Sequence, residues 1–283
     1  MSRKFGSTAR GRRLRRDLRL LRESVNLSTD EAGSRAAMSG PTLSRIESGK
    51  RGVSVDETER LLDVYDVPLT KQRKILDLAE RTNELGWWQP YESHLREDAQ
   101  STIALEEQAS RIVNFELMLI PGLLQTAEYA RDIIQASNFD DSPQVIETKV
   151  AARMARQSVL SRPDHAPELV AILDEAALHR ARDPQIMKRQ LKQLLDAAER
   201  PNVLVQVVPF SAGQHASAES PCVVFEFGDD PAIVYLEGKI SGLFLEELDE
   251  VAVYQETVRR LSQVALNASE SHELIDRISK ELP

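Results

Sequence analysis

The sequence predicts an α domain followed by an α+β domain: a five-helix helix-turn-helix unit over residues 12–80, then a larger unit with a mixed sheet over residues 102–283. Three observations carry this. Residues 28–51 hold two short helix starts in tandem, at Ser28 and Ser39. Two β-rich runs, Leu169–Asp174 and Val203–Val208, flank an amphipathic helical run, Pro184–Ala198. Two apolar runs, Cys222–Phe227 and Ala232–Glu237, are joined by Gly228-Asp229-Asp230-Pro231.

Taken in order, residues 1–11 read as a basic arm containing Gly, Ser and Arg. Residues 12–24 place Leu14, Leu18 and Leu21 at helical spacing. Ser28 followed by Glu31 makes a capping box, with Leu27 and Ala32 at staple positions. Ser39 repeats the start, with Met38 and Leu43 in the same roles, and Gly49 ends that helix where a left-handed residue is usually needed. A fourth helix begins at Ser54, with a second capping box to Glu57, and offers Leu61, Leu62 and Tyr65 to a core. Val67-Pro68-Leu69 breaks it, because the residue before proline resists the helical region. A fifth begins near Thr70 and carries Ile75, Leu76 and Ala79. Two helices as short as the second and third need others to bury their apolar faces.

Residues 81–101 read as a connector. Trp87, Trp88 and Tyr91 are too apolar for a free linker, so they either pin the small domain to the large one or cover a groove. Beyond it, residues 102–114 read as helix and Phe115–Ile120 as a short buried strand ended by Pro121-Gly122. Thr126–Ala136 and Pro143–Leu160 read as helices. The strand, helix and strand over residues 169–208 suggest one parallel crossover. The paired runs after residue 221 suggest a hairpin. Helices at about 247–264 and 269–281 close the chain.

Charge is segregated. The whole chain carries a formal charge of -9, yet residues 1–52 hold thirteen Lys/Arg against five Asp/Glu. The remainder holds twenty-three against forty. A cationic end beside a folded motif points to phosphates, and an acidic body to solubility or a partner. One cysteine, Cys222, excludes an internal disulfide framework and fits a reducing cytoplasm. No run is long and apolar enough to span a bilayer, and the arginine-bearing start lacks the apolar core of a secretory signal.

The larger part carries a series of short motifs: Gly86-Trp87-Trp88, Pro121-Gly122-Leu123-Leu124-Gln125-Thr126, Tyr129-Ala130, Arg153-Met154-Ala155-Arg156-Gln157 and Arg162-Pro163. They continue with Asp174-Glu175-Ala176-Ala177-Leu178, Arg200-Pro201-Asn202-Val203, Val205–Phe210, Ala212-Gly213-Gln214-His215 and Val234-Tyr235-Leu236-Glu237. In these motifs the chain resembles a known family. The first part is similar to the Xre/Cro-type helix-turn-helix domain. The second is similar to the large C-terminal domain, of unknown function, in a numerous group of actinobacterial regulators. The resemblance implies transcriptional regulation, and genes that often neighbour one for a small partner protein, similar to toxin–antitoxin pairs.

The family's recognition helix maps onto Ser39–Glu47. Its exposed candidates are Gly40, Pro41, Thr42, Ser44 and Arg45, with Leu43 and Ile46 facing inward. An α-helix fits the major groove and its N-terminal residues meet base edges. The sequence departs from the family at Thr29 and Gly40, where glutamine is common, and at Thr42, where a long polar side chain is common. Ala32 replaces a leucine, Ala37 replaces the turn glycine, and Gly33 stands for a small alanine. Pro41 is tolerable in a first turn. Base contacts are then few: Thr42 or Ser44 to base edges or a thymine methyl, and Arg45 to phosphate or guanine. Arg3, Lys4, Arg10, Arg12 and Arg13 add affinity from the arm, and Lys50 and Arg51 suit phosphate clamping. The competing reading is a helix-turn-helix that has become a packing module. The DNA-binding set is thus Arg12, Arg13, Thr29, Ser39, Gly40, Thr42, Ser44, Arg45, Lys50 and Arg51. Reading a twofold site calls for a homodimer, through helix five or the C-terminal domain.

For the larger unit the polar candidates are Asp174, Glu175, His179, His215, Cys222 and Glu237. No metal-type spacing joins His94, His165, His179, His215 and His272. Neither a Gly-rich phosphate loop nor a nucleophile elbow is present. Asp174 and Glu175 end a strand beside a helix, where carboxylates often cap. Ser211–Ser220 is a loop of small residues that lines a pocket or is disordered; His215 within it binds a ligand or sits in solvent. The expectation is a non-enzymatic, cytoplasmic, nucleoid-associated regulator of double-stranded DNA whose residues 102–283 sense a ligand or protein, with no cofactor and no metal. The alternative is an antitoxin-like adaptor that chiefly binds a small partner protein encoded nearby.

Overall fold

The computed structural model describes residues 9–82, 88–180, 182–228 and 230–283. They divide into two compact units, one up to Pro90 together with Glu97–Ala104, the other Tyr91–Arg96 with Leu105–Pro283.

The first unit is helical: α1 (Ala9–Ser24), α2 (Thr29–Arg35), α3 (Gly40–Glu47), α4 (Val55–Val64) and α5 (Leu69–Thr82). α1 begins inside the stretch expected to be arm, and α5 runs two residues past the expected boundary. The caps are those the sequence announced. Ser28 and Glu31 form a complete capping box, as do Ser54 and Glu57, and the Ser39 hydroxyl accepts from Thr42 N–H. Leu14, Leu18, Ala32, Leu43, Ile46, Leu61, Leu62, Tyr65, Ile75 and Ala79 bury together, with Leu21, Leu27, Met38 and Leu76 packed around them.

The helix ends share one device. Asn26, Ala37, Gly49 and Asp66 all take left-handed backbone, with φ of 54°, 55°, 76° and 52°. At three of them the next N–H closes back five residues: Leu27 to Arg22 O, Met38 to Gly33 O, and Val67 to Leu62 O. These are Schellman ends, which satisfy orphan carbonyls and reverse the chain in few residues. Gly and Asn/Asp adopt this conformation readily; alanine does so at a cost.

The second unit is built on a six-stranded sheet of order β3-β2-β1-β4-β5-β6. Its elements are α6 (Glu97–Glu106, shared with the first unit), β1 (Arg111–Glu116), α7 (Ala127–Ser137), α8 (Pro143–Arg156), β2 (Glu168–Asp174) and α9 (Pro184–Ala198). β3 (Val203–Val208), β4 (Cys222–Phe227), β5 (Asp230–Leu236), β6 (Leu243–Leu245), α10 (Leu248–Val264) and α11 (Ala268–Glu281) follow. β1, β2 and β3 run parallel; β4, β5 and β6 pair antiparallel. The mixed sheet, the crossover through α9 and the hairpin of β4 and β5 match the sequence reading.

Three assignments need correction. Residues 102–114 are not one helix: α6 ends at Glu106 and β1 starts at Arg111. The strand expected at Phe115–Ile120 lies earlier, and residues 117–120 form a turn that exposes Met118 and Leu119. β1 is buried on both faces from Ile112 to Phe115, so it lacks the alternation that marks a strand. The expected connector has structure of its own. It holds a 3-10 turn at Gln89–His94 and the start of α6; Trp88 is half-buried, and Gly86 and Trp87 lie outside the described residues. The helix expected to reach Leu160 becomes 3-10 after Arg156, and β6 was not anticipated.

One sheet face buries Val113, Phe115, Val170, Ile172, Val224 and Val234 against Val251, Val258 and Leu261 of α10. The opposite face carries Asn114 and Ala171 and, across the register, Tyr235. The β3 edge is closed: Leu266 N–H donates to Val207 O, and Val207 N–H donates to Ser271 Oγ. A covered edge cannot recruit a foreign strand.

Candidate nucleic-acid interface

α3 is held in place from two sides. Arg22 of α1 reaches Glu47 at its end with two hydrogen bonds, Nε at 2.8 Å and Nη2 at 3.0 Å, and gives a third to Leu27 O at 2.7 Å. Both side chains are largely buried. At the other end α3 lies against α2. A Cβ on Gly33 would stand 3.1 Å from Gly40 N and Met38 O, so the small residue there permits the close approach the sequence suggested. The Tyr65 hydroxyl is buried without a hydrogen-bond partner among the described residues, and burial pushes it above its ordinary value, helped by the charge of Glu47.

The structure sorts the expected contact residues. Pro41, Ser44, Arg45, Ser39 and Lys50 are exposed; Thr29 and Thr42 are half-exposed. Arg45 Nε donates to Pro41 O at 3.2 Å, laying the side chain along α3 toward its start. The Ser39 and Thr42 hydroxyls bond each other at 2.8 Å. Gly40, expected to be exposed, is buried: a Cβ there would overlap the Asp30 carboxylate and backbone. Its missing side chain serves the packing of α2 on α3. Arg51 is also not a free clamp. It bonds Glu57 at 2.8 Å; burial alone would raise the Glu57 carboxyl, but Arg51 and Ser54 hold it below its ordinary value. Arg13 lies 3.7 Å from Asp17. Arg3 and Lys4, and the side chains of Arg10 and Arg12, lie outside the described residues. Sequence reasoning missed Asp30 at the mouth of this surface; its place before the N-terminus of α3 emerges only once the helices pack.

In the second unit the polar candidates separate. Asp174 accepts from Ala176 N–H at 2.8 Å, a cap as expected, and meets His215 Nε2 at 3.3 Å. Ser217 N–H donates to His215 Nδ1, and the ring stands edge-on to Phe115 at 5.6 Å. His215 is therefore neither in solvent nor open to a ligand; its side chain is 6% exposed and pins the loop to the sheet. Glu175 accepts from Phe210 N–H, and His179 stacks on the Phe210 ring at 5.9 Å. Cys222 is buried, which pushes its thiol up to about 12. Glu237 is exposed. Ser211 lines a cleft of about 440 Å³ with Glu175, Glu270, Glu273 and Arg277. Among the described residues no helix is long and apolar enough to cross a membrane.

Comparison with known proteins adds two matches. Residues 99–277 match the family described as Domain of unknown function (DUF5753), and residues 13–74 match the family described as Helix-turn-helix domain. No curated protein and no solved structure matches.

Proposed function

The chain belongs to the DUF5753 family, with a helix-turn-helix domain ahead of it, and from that premise we propose that it is a sequence-specific DNA-binding transcriptional regulator whose C-terminal domain senses a ligand or protein. The observation that carries this is the surface of α3. Ser44 and Arg45 are exposed there on a helix braced by Arg22 and Glu47, with Lys50 exposed just past its end, within the cationic part of the chain. A helix presented this way enters a major groove, with Thr42 and Ser44 at base edges and Arg45 at guanine or phosphate. The protein acts as a homodimer in the cytoplasm, associated with the nucleoid. The C-terminal domain is assigned no catalytic step: Asp174 and His215 are engaged in holding the fold, and the Cys222 thiol is buried and protonated.

The test is selection of sheared genomic DNA by the purified full chain at low salt, followed by sequencing. Retained fragments are expected to share one sequence. Arg45→Ala should lower affinity for it about tenfold, within the 1–3 kcal/mol of a good base contact. Fragments with no common sequence, retained equally by the variant, would overturn the reading.

A further inference from the structure

We propose that Asp30 selects a cytosine in the bound DNA: its carboxylate stands at the start of α3, in the place of a side chain that the helix itself lacks, and accepts from the cytosine amino group in the major groove. The inference rests on the DNA-binding reading above and names one base that this reading leaves open.

Two glycines create the arrangement. α2 and α3 approach so closely that a Cβ on Gly33 would stand 3.1 Å from Gly40 N. A Cβ on Gly40 would overlap Asp30 Oδ1 and lie 2.7 Å from Asp30 Cγ. The space that a side chain at the first position of α3 would fill is therefore filled by a carboxylate from α2. The backbone under Asp30 is fixed, because the capping box of Ser28 and Glu31 closes the same turn of α2. A short side chain on a fixed turn has little freedom to lose when DNA binds.

The first turn of α3 has little else to offer a base. Gly40 has no side chain, the Pro41 ring has neither donor nor acceptor, and the Ser39 and Thr42 hydroxyls bond each other at 2.8 Å. Asp30 is exposed and makes no hydrogen bond or ion pair among the described residues. A carboxylate on a surface that meets phosphates opposes binding to every sequence alike, unless it gains a donor. Base-edge chemistry identifies that donor. A carboxylate only accepts. In the major groove guanine shows N7 and O6 and thymine shows O4, all acceptors that a carboxylate repels. Adenine sets its amino donor beside the acceptor N7, and cytosine shows its amino donor alone. The N-terminal end of the recognition helix is where base edges are met, and Asp30 stands at that end. The residue thus rejects guanine and thymine as well as selecting cytosine.

The experiment carries the DNA selection, with the full chain, through wild type, Asp30→Asn and Asp30→Ala. Neither variant enlarges the side chain against Gly40, and thermal melts establish that each is folded; should one fail to fold, the other decides. Wild type is expected to retain fragments that share a sequence with a fixed cytosine. Asp30→Asn should lose the preference for that cytosine and favour adenine, whose N6 and N7 match an amide, with the rest of the shared sequence unchanged. On a duplex of the selected sequence, thymine in place of the cytosine should weaken wild type about tenfold or more, and Asp30→Ala less than about twofold. Asp30→Ala should bind unrelated DNA at least as well as wild type, since a charge that repels phosphate is gone. The proposal is overturned if either folded variant selects the cytosine as wild type does, if Asp30→Ala still tells thymine from cytosine, or if both variants weaken binding to all duplexes alike, as a residue that only packs would. A wild type that retains no common sequence overturns the DNA-binding reading as well; a common sequence that the variants leave unaltered overturns this proposal alone.

Discussion

Ala37 shows what a single residue can cost. It occupies the left-handed end of α2 at φ 55°, where Met38 N–H closes on Gly33 O and Arg60 Nε donates to Ala36 O. Those bonds hold a methyl-bearing residue in a region it disfavours, at about 1–2 kcal/mol. Ala37→Gly should stabilise the chain by about 0.5–1 kcal/mol, since relief of strain exceeds the extra entropy glycine brings to the unfolded state. Urea denaturation followed by circular dichroism reads this, and a lower midpoint would contradict it. Gly40 makes the opposite case: its lack of a Cβ leaves room for Asp30. The sequence showed both positions as departures from a pattern. It did not show that one is strained and the other obligatory, because that depends on which atoms of α2 face α3.

At the scale of elements, α3 is too short to be stable alone, so its position depends on what grips its ends. The grip at its C-terminus is the Arg22–Glu47 pair, and removing one partner strands the other where water reaches it poorly. Arg22→Ala should therefore destabilise the helical unit by about 2–4 kcal/mol. Replacing both residues with apolar ones, Arg22→Met with Glu47→Leu, should recover much of that loss. Thermal melts of the single and double variants check this, and an equally damaged double variant would mean that the charges themselves matter. α2 and α4 were legible because their starts are written locally, as a hydroxyl and a carboxylate three residues apart. β1 was not, because a strand buried on both faces has no period of its own.

For the whole molecule the deciding feature is charge. Thirteen basic residues within the first fifty-two, on a chain of net charge -9, set a cationic amino-terminal stretch, densest in α1, apart from an anionic remainder. Affinity for the cognate DNA should fall at least tenfold between about 50 and 200 mM salt, as each neutralised phosphate releases counterions. Filter binding across that range checks it, and a flat response would mean that contact does not run through phosphates. The sequence by itself determined the helical unit, its caps, the mixed sheet and the polarity of charge, since each rests on neighbours within a few residues or on plain composition. Tertiary structure alone decided that Gly40 is buried, that Arg51 is paired, that His215 is a pin, and that Arg156 meets Glu106. Those facts depend on which distant segments touch, and burial and pairing belong to the packed chain rather than to any stretch of it.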